Sequence, residues 1–290
     1  MYLTGFADEA ASDIDGQIRA TKALGWSRIE SRNIDGVNLH DLPDDKFEEV
    51  YAKLAEAGVT VNCFGSAIAN WAKSIERPYD DDIASARRAV TRMKRLGTKF
   101  IRIMSYPPIK DKPMEEQMAE ERFRRLREIC ALFLDEGLQP LHENCMNYGG
   151  QGWRYTLRML DAVPGLKLVF DTGNPVNTID RDDPSRRQSA WDFFDHVRDH
   201  VLYIHIKDGV VDENGNTKWC WCGEGNGDIR RIVADLVARG YDGGFSMEPH
   251  MAVVAHDSSV TSEADIRFSN YVEYGRRFER ILAECGAKAC

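Results

Sequence analysis

Leu96-Gly97-Thr98-Lys99-Phe100-Ile101 carries the signature from which the fold can be read. A glycine closes an amphipathic helical stretch, and a short apolar run follows at once, which is the αβ connection of a buried parallel sheet. The same junction recurs in Ala57-Gly58-Val59-Thr60-Val61, and Gly25, Gly137, Gly165 and Gly240 occupy equivalent places. Working outward, strand-like runs fall at 3–6, 28–31, 60–64, 100–104, 140–143, 167–170, 202–206 and 244–247. Eight βα units in roughly 250 residues match a TIM barrel, whereas a doubly wound sheet carries fewer strands and a glycine-rich phosphate loop after the first. The first junction, Phe6-Ala7-Asp8-Glu9-Ala10, has no such glycines. The expected fold is therefore α/β, a (β/α)8 TIM barrel forming a single domain over 1–290, with a last helix at 264–282 and no linker. Two longer excursions, 174–188 and 209–227, follow strand C-termini and belong to the barrel mouth.

Four of the later runs each end in a side chain able to bind a divalent cation: Glu143 in Leu141-His142-Glu143-Asn144, Asp171 in Val169-Phe170-Asp171-Thr172, His205 in Tyr203-Ile204-His205-Ile206, and Glu248 in Ser246-Met247-Glu248-Pro249. In a closed barrel all strand ends of one polarity meet at one mouth. Three carboxylates and an imidazole converging there repel one another unless a cation lies between them. Side chains alternate along a strand, which gives Tyr203, His205 and Lys207 one face, Ser246, Glu248 and His250 another, and Val169 and Asp171 a third. An oxygen-rich donor set favours Mn²⁺, Mg²⁺ or Co²⁺, with Zn²⁺ also admissible. Glu30 and Arg32 share a face of the second strand and are expected to pair with each other. His142 has the opposite parity to Glu143 and reads as a packed histidine.

Composition narrows the partners. With 43% hydrophobic residues the chain can bury a full core, and its formal charge of −9 disfavours a nucleic-acid backbone. The basic clusters Arg87-Arg88, Arg122 to Arg127 and Arg230-Arg231 lie among acidic residues in helical patterns, as solvated faces do. The opening Met1-Tyr2-Leu3-Thr4-Gly5-Phe6 has no basic leader, and no apolar run approaches the roughly 20 residues of a membrane span. A soluble, cytoplasmic protein is expected. Seven scattered cysteines argue against a disulfide framework, and Cys220 and Cys222 lack the second pair that a structural zinc needs.

The start Gly5-Phe6 to Glu9, Gly25-Trp26 with Ile29-Glu30-Ser31-Arg32, His205-Ile206-Lys207-Asp208, Gly223-Glu224-Gly225, and Gly240-Tyr241-Asp242-Gly243 leading to Glu248 together resemble the xylose isomerase-like TIM barrel superfamily of sugar phosphate isomerases and epimerases. Ketose 3-epimerases and inosose dehydratases are among its members. The resemblance implies that Glu143, Asp171, His205 and Glu248 are metal ligands, with Mn²⁺ first among the ions. It further implies that Glu143 and Glu248 act as the acid/base pair on opposite faces of the substrate. The implied reaction is isomerisation or epimerisation of a ketose or keto-polyol, by proton abstraction through a metal-stabilised cis-enediolate.

This chain departs from the epimerase pattern at Asn174, where many members carry a substrate-contacting histidine, and it lacks an arginine soon after His205. Lys207 is the nearest cation, set either to orient a substrate oxygen or to pair with an acidic neighbour such as Asp208. Asn174, Lys207 and His250 are thus the candidate substrate contacts, while Trp71, Trp219 and Trp221 read chiefly as packing residues on mouth-side segments. A dehydratase of the inosose or dehydroshikimate type is the alternative, since it shares the first proton abstraction. An endonuclease IV-like phosphodiesterase needs more strand-end histidines than are visible, and an intact ligand set argues against a non-catalytic sugar-binding barrel. The expected partner is a small sugar or polyol, with no nucleic acid and no membrane, and a homo-oligomer is compatible with the fold.

Overall fold

The computed structural model describes residues 1–252 and 262–287. Eight parallel strands form its centre: β1 (Tyr2–Gly5), β2 (Arg28–Ser31), β3 (Thr60–Gly65), β4 (Phe100–Ile103), β5 (Gln139–Glu143), β6 (Lys167–Asp171), β7 (Val201–Ile206) and β8 (Gly244–Met247). Each pairs with its sequence neighbour from β2 to β8, and β8 pairs in turn with β1. A parallel bridge between Phe6 and Glu30 joins the two remaining edges and closes the ring. Helices α1 (Ile14–Ala23), α2 (Asp44–Ala57), α3 (Asp80–Leu96), α4 (Ala119–Leu134), α5 (Trp153–Ala162), α6 (Ala190–Val197), α7 (Ile229–Ala238) and α8 (Ala264–Glu284) follow the strands in order. The expected (β/α)8 barrel is the observed one.

The local reasons are those of the sequence. Gly58 and Gly97 end α2 and α3 with φ of 62° and 71°, left-handed values that cost a glycine nothing. The Asp13 carboxylate accepts from the Gly16 N–H at 2.8 Å to start α1, and the Ser189 hydroxyl caps α6 by accepting from the Asp192 N–H.

Most apolar side chains pack between helices and the outer face of the strands, while Cys63, Leu141, Val169 and Tyr203 form a separate cluster. Leu141, Val169 and Tyr203 each lie two residues before Glu143, Asp171 and His205, so strand alternation sets this apolar layer directly beneath the polar rim. At the mouth, the excursion after β6 contains a single helical turn, Asn174–Asn177, and the one after β7 folds Gly209–Val211 against Thr217–Trp219 as an antiparallel ribbon.

Candidate metal centre and its surroundings

Glu143 and Asp171 end β5 and β6, His205 is the penultimate residue of β7, and Glu248 directly follows β8. Strand register sets Asp171 opposite His205. All four side chains are buried, and one ligand atom from each lies within 4.8 Å of those of the other three. His205 Nδ1 stands 3.3 Å from Glu143 Oε1 and 4.0 Å from Asp171 Oδ2. Asp171 Oδ1 accepts from the backbone N–H groups of Gly173 and Asn174, at 2.8 and 2.6 Å. Its other oxygen has no hydrogen-bond partner although fully buried. Lys207 Nζ is 3.1 Å away, a charge contact without the angles of a hydrogen bond. An orphaned carboxylate oxygen facing two more carboxylates and an imidazole is a fitting donor set for a hard divalent ion.

The charge balance agrees with that fit. Among the described residues, six carboxylates, from Asp8, Glu9, Glu30, Glu143, Asp171 and Glu248, crowd the rim against three permanent cations, Arg32, Arg102 and Lys207. Arg102 Nη1 donates to Glu143 Oε2 at 3.1 Å, while Arg32 Nη1 and Lys207 Nζ donate to the two oxygens of Glu248 at 2.9 and 2.8 Å. Burial opposes ionisation of Glu143, yet Arg102 and His205 overcome it and hold the carboxyl at about 2. Burial likewise opposes ionisation of Glu248, and Lys207, His250 and Arg32 keep it well below the usual range. Asp171 goes the other way: burial dominates, the repulsion of Glu248 and Glu143 adds to it, and its carboxyl rises to about 6. Burial lowers His205, but Glu30 and Glu143 raise it further, to about 10.

One expectation fails here, and for Lys207 the acidic partners differ from the neighbour named. Arg32 does not pair with Glu30: its guanidinium clasps Asp8 at 2.8 and 3.1 Å and reaches Glu9 and Glu248. Glu30 instead faces His205, with Nε2 at 3.1 and 3.0 Å from its two oxygens. The two residues do reach the same rim, but each meets a nearer partner contributed by another strand or loop, Asp8, Glu9 and Glu248 for Arg32 and His205 for Glu30. Nor does Lys207 pair with Asp208. It bridges Asp171 and Glu248, while Asp208 accepts backbone N–H groups from Gly209, Gly223, Gly225 and Gly227, at 2.8–3.0 Å. The His-x-Lys-Asp and Gly-Glu-Gly stretches thus meet around one carboxylate, which ties the loop before α7 to the end of β7.

Asn174 donates from Nδ2 to Glu143 Oε1 at 3.2 Å, next to the cluster. His250 has a φ of 55°, a strained value for a non-glycine residue. Glu9 holds it there, accepting from its backbone N–H at 2.8 Å and lying 2.8 Å from its Nδ1. Its Nε2 is 3.7 Å from Glu248 Oε1. His142 is buried away from the cluster against Ser105 and Asn147, as parity predicts. Trp219 lies over Lys207 at 5.1 Å and edge-on to His250 at 5.6 Å, so it flanks the site, whereas Trp221 packs against Arg277 and Tyr274. The roles of Arg102 and Glu9 at the rim were not anticipated from the sequence. The signal for Arg102 was a charged residue inside the apolar run Phe100-Ile101-Arg102-Ile103, which is seldom buried without a partner.

Comparison with known proteins places this fold among related barrels. The family model described as "Xylose isomerase-like TIM barrel" matches residues 18–269. No curated protein sequence matches. Among solved structures, a xylose isomerase-like TIM barrel protein from Mycobacterium smegmatis in complex with magnesium is similar, with a TM-score of 0.68, 16% identity and coverage of 99% of this chain and 97% of that one. The D-psicose 3-epimerase of Clostridium cellulolyticum H10, solved with D-tagatose, gives 0.68 at 17% identity over 97% and 99%. The probable 3-DHS dehydratase of Bacillus anthracis gives 0.67 at 17% identity over 93% and 97%.

Proposed function

This chain belongs to the xylose isomerase-like TIM barrel family, and from that premise we propose that it is a divalent-metal-dependent isomerase or epimerase of a ketose or keto-polyol. The observation that carries the reading is the convergence of Glu143, Asp171, His205 and Glu248 within 4.8 Å, with one Asp171 oxygen left without a hydrogen bond. Mn²⁺ is the ion we put first for this donor set, before Mg²⁺, Co²⁺ and Zn²⁺. Held there, a divalent ion would draw electron density from a ketone and its neighbouring hydroxyl and so acidify the adjacent C–H.

The chain's own groups do the rest. Glu143 and Glu248 are the proposed acid/base pair, one taking the proton from carbon and the other returning it. Arg102 keeps the first ionised, and Lys207 with Arg32 the second. Carboxylates held so firmly ionised are weak bases, so the reading requires a strongly acidified substrate. Asn174, Lys207 and His250 stand beside the two glutamates as proposed contacts for substrate oxygens.

Elimination of a β-hydroxyl, which would make the protein a dehydratase, is the second reading. It is favoured by Lys207 and His250, two nitrogen side chains beside Glu248 placed to hydrogen-bond a departing hydroxyl. The test is solvent exchange. Mn²⁺-loaded protein incubated in D₂O with ketoses, inososes and 3-keto sugars is expected to incorporate deuterium and to yield an epimer or a dehydrated product. Glu248→Gln is expected to lose roughly 100-fold or more of that rate. No exchange with any compound, in the wild type and the variant alike, sinks both readings.

A further inference from the structure

Among the described residues Glu30 is the one acid of the rim that neither the ligand quartet nor the arginine pairs account for. Its side chain is fully buried, and both its oxygens address a single atom, His205 Nε2, at 3.1 and 3.0 Å. Arg32, its neighbour two residues on, is committed to Asp8, Glu9 and Glu248. Burying a carboxylate costs several kcal/mol unless a strong partner repays it, so an apolar residue would serve better if the position only had to be filled. The other edge of the imidazole faces the carboxylates: Nδ1 lies 3.3 Å from Glu143 Oε1 and 4.0 Å from Asp171 Oδ2. Phe6 packs edge-on against the ring at 5.0 Å and limits its rotation.

We propose that Glu30 is a positioning residue for the metal centre: by accepting the Nε2–H of His205 it fixes the tautomer and aims the Nδ1 lone pair at Glu143 and Asp171, making Nδ1 the metal-binding atom. The inference rests on the metal-dependent reading above and adds an outer residue to it. A carboxylate behind a ligating histidine raises the basicity of the ligand and holds its orientation, and losing such a partner typically weakens metal binding roughly 10- to 100-fold. Glu30 touches neither substrate nor ion, so its effect travels through His205 alone.

The test is Mn²⁺ affinity by calorimetry, without substrate, in wild type, Glu30→Gln and Glu30→Leu, each checked by circular dichroism for a folded barrel. The amide that Glu30→Gln introduces can still accept from Nε2–H, so this variant is expected to fold and to bind only several-fold more weakly, whereas Glu30→Leu is expected to lose roughly 10- to 100-fold. Nitrogen NMR of His205 in the Zn²⁺-loaded form is expected to show protonated Nε2 and metal-bound Nδ1 in wild type and in Glu30→Gln. Wild type that takes up no Mn²⁺ overturns the metal-dependent function and this inference with it. Wild type that binds Mn²⁺, with Glu30→Leu binding equally well or with His205 ligating through Nε2, overturns the role of Glu30 alone. If Glu30→Leu does not fold, Glu30→Gln decides: affinity unchanged within about twofold together with Nε2 ligation overturns the proposal, and retained Nδ1 ligation with weakened affinity supports it.

Discussion

His40 shows at the scale of one residue how burial becomes a pH dependence. It sits in a short turn, Leu39–Asp41, with 1% of its surface exposed and no hydrogen-bond partner for Nδ1. Burial is the main reason that its pKa falls to about 4; Arg88, Arg92 and Lys73 add to the effect, and the carboxylate of Asp41 only partly offsets it. The unfolded chain therefore takes up a proton near pH 6.5 while the folded protein refuses it until about pH 4, so stability is present above 6.5 and drains away as the pH falls. Between about pH 7 and 5 the loss from this residue is about 2 kcal/mol. His142, lowered to about 4 by burial, contributes in the same direction. Urea unfolding at the two pH values is expected to show His40→Asn removing a large part of the difference; an unchanged slope of stability with pH would refute the assignment. Legibility at this scale was uneven. Glu143, Asp171, His205 and Glu248 could be read because each closes an apolar run, which is a local signal. Arg32 meeting Glu248, or Glu9 holding His250, joins the two ends of the chain, and no local pattern announces which buried charge meets which.

Elements explain why the motifs take the form they do. The helix–glycine–strand junctions were legible because one residue, such as Gly58 or Gly97, both ends the helix and adopts the backbone angle that its neighbour must have. The ribbon Gly209–Val211 with Thr217–Trp219 was not, since strands of three residues are too short for a periodic signal. That ribbon and the glycine loop after it depend on Asp208, which accepts four backbone N–H groups in place of any regular element. Hydrogen bonds to a charged acceptor contribute more than neutral ones, and an unsatisfied buried N–H is costly. Asp208→Asn presents an N–H₂ group to some of those donors and is expected to destabilise the protein by roughly 2–4 kcal/mol. Gly225 has no room for a side chain either, because a Cβ there would lie 2.5 Å from the backbone oxygen of Gly209. Denaturant unfolding checks the first variant, and amide exchange should show the loss of protection concentrated in 209–227. Protection lost evenly over the barrel would contradict the local role.

For the whole molecule the decisive quantity is the surplus negative charge at the rim. Among the described residues six rim carboxylates face three permanent cations, and a divalent ion would offset much of that surplus negative charge. An ion that binds the folded state and not the unfolded one stabilises it by RT ln(1 + [L]/Kd), about 2.7 kcal/mol at roughly a hundredfold excess over Kd. A chain of 290 residues has an unfolding entropy of about 2.1 cal/mol/K per residue, which turns that free energy into a rise of about 4 °C in Tm. The overall charge of −9 offers a competing explanation, since any cation screens an acidic protein. Asp171→Asn separates the two: it changes the overall charge by one and removes the carboxylate whose outer oxygen lacks a hydrogen bond. Thermal scans with Mn²⁺, and again after chelation, are expected to show the rise in wild type, its reversal by chelator, and its absence in Asp171→Asn. Magnesium, with the same charge, should give a smaller rise at equal concentration if the imidazole of His205 takes part, because Mg²⁺ prefers oxygen donors more strongly. A rise of equal size in the variant would make the effect general screening and leave the rim carboxylates without a metal to hold.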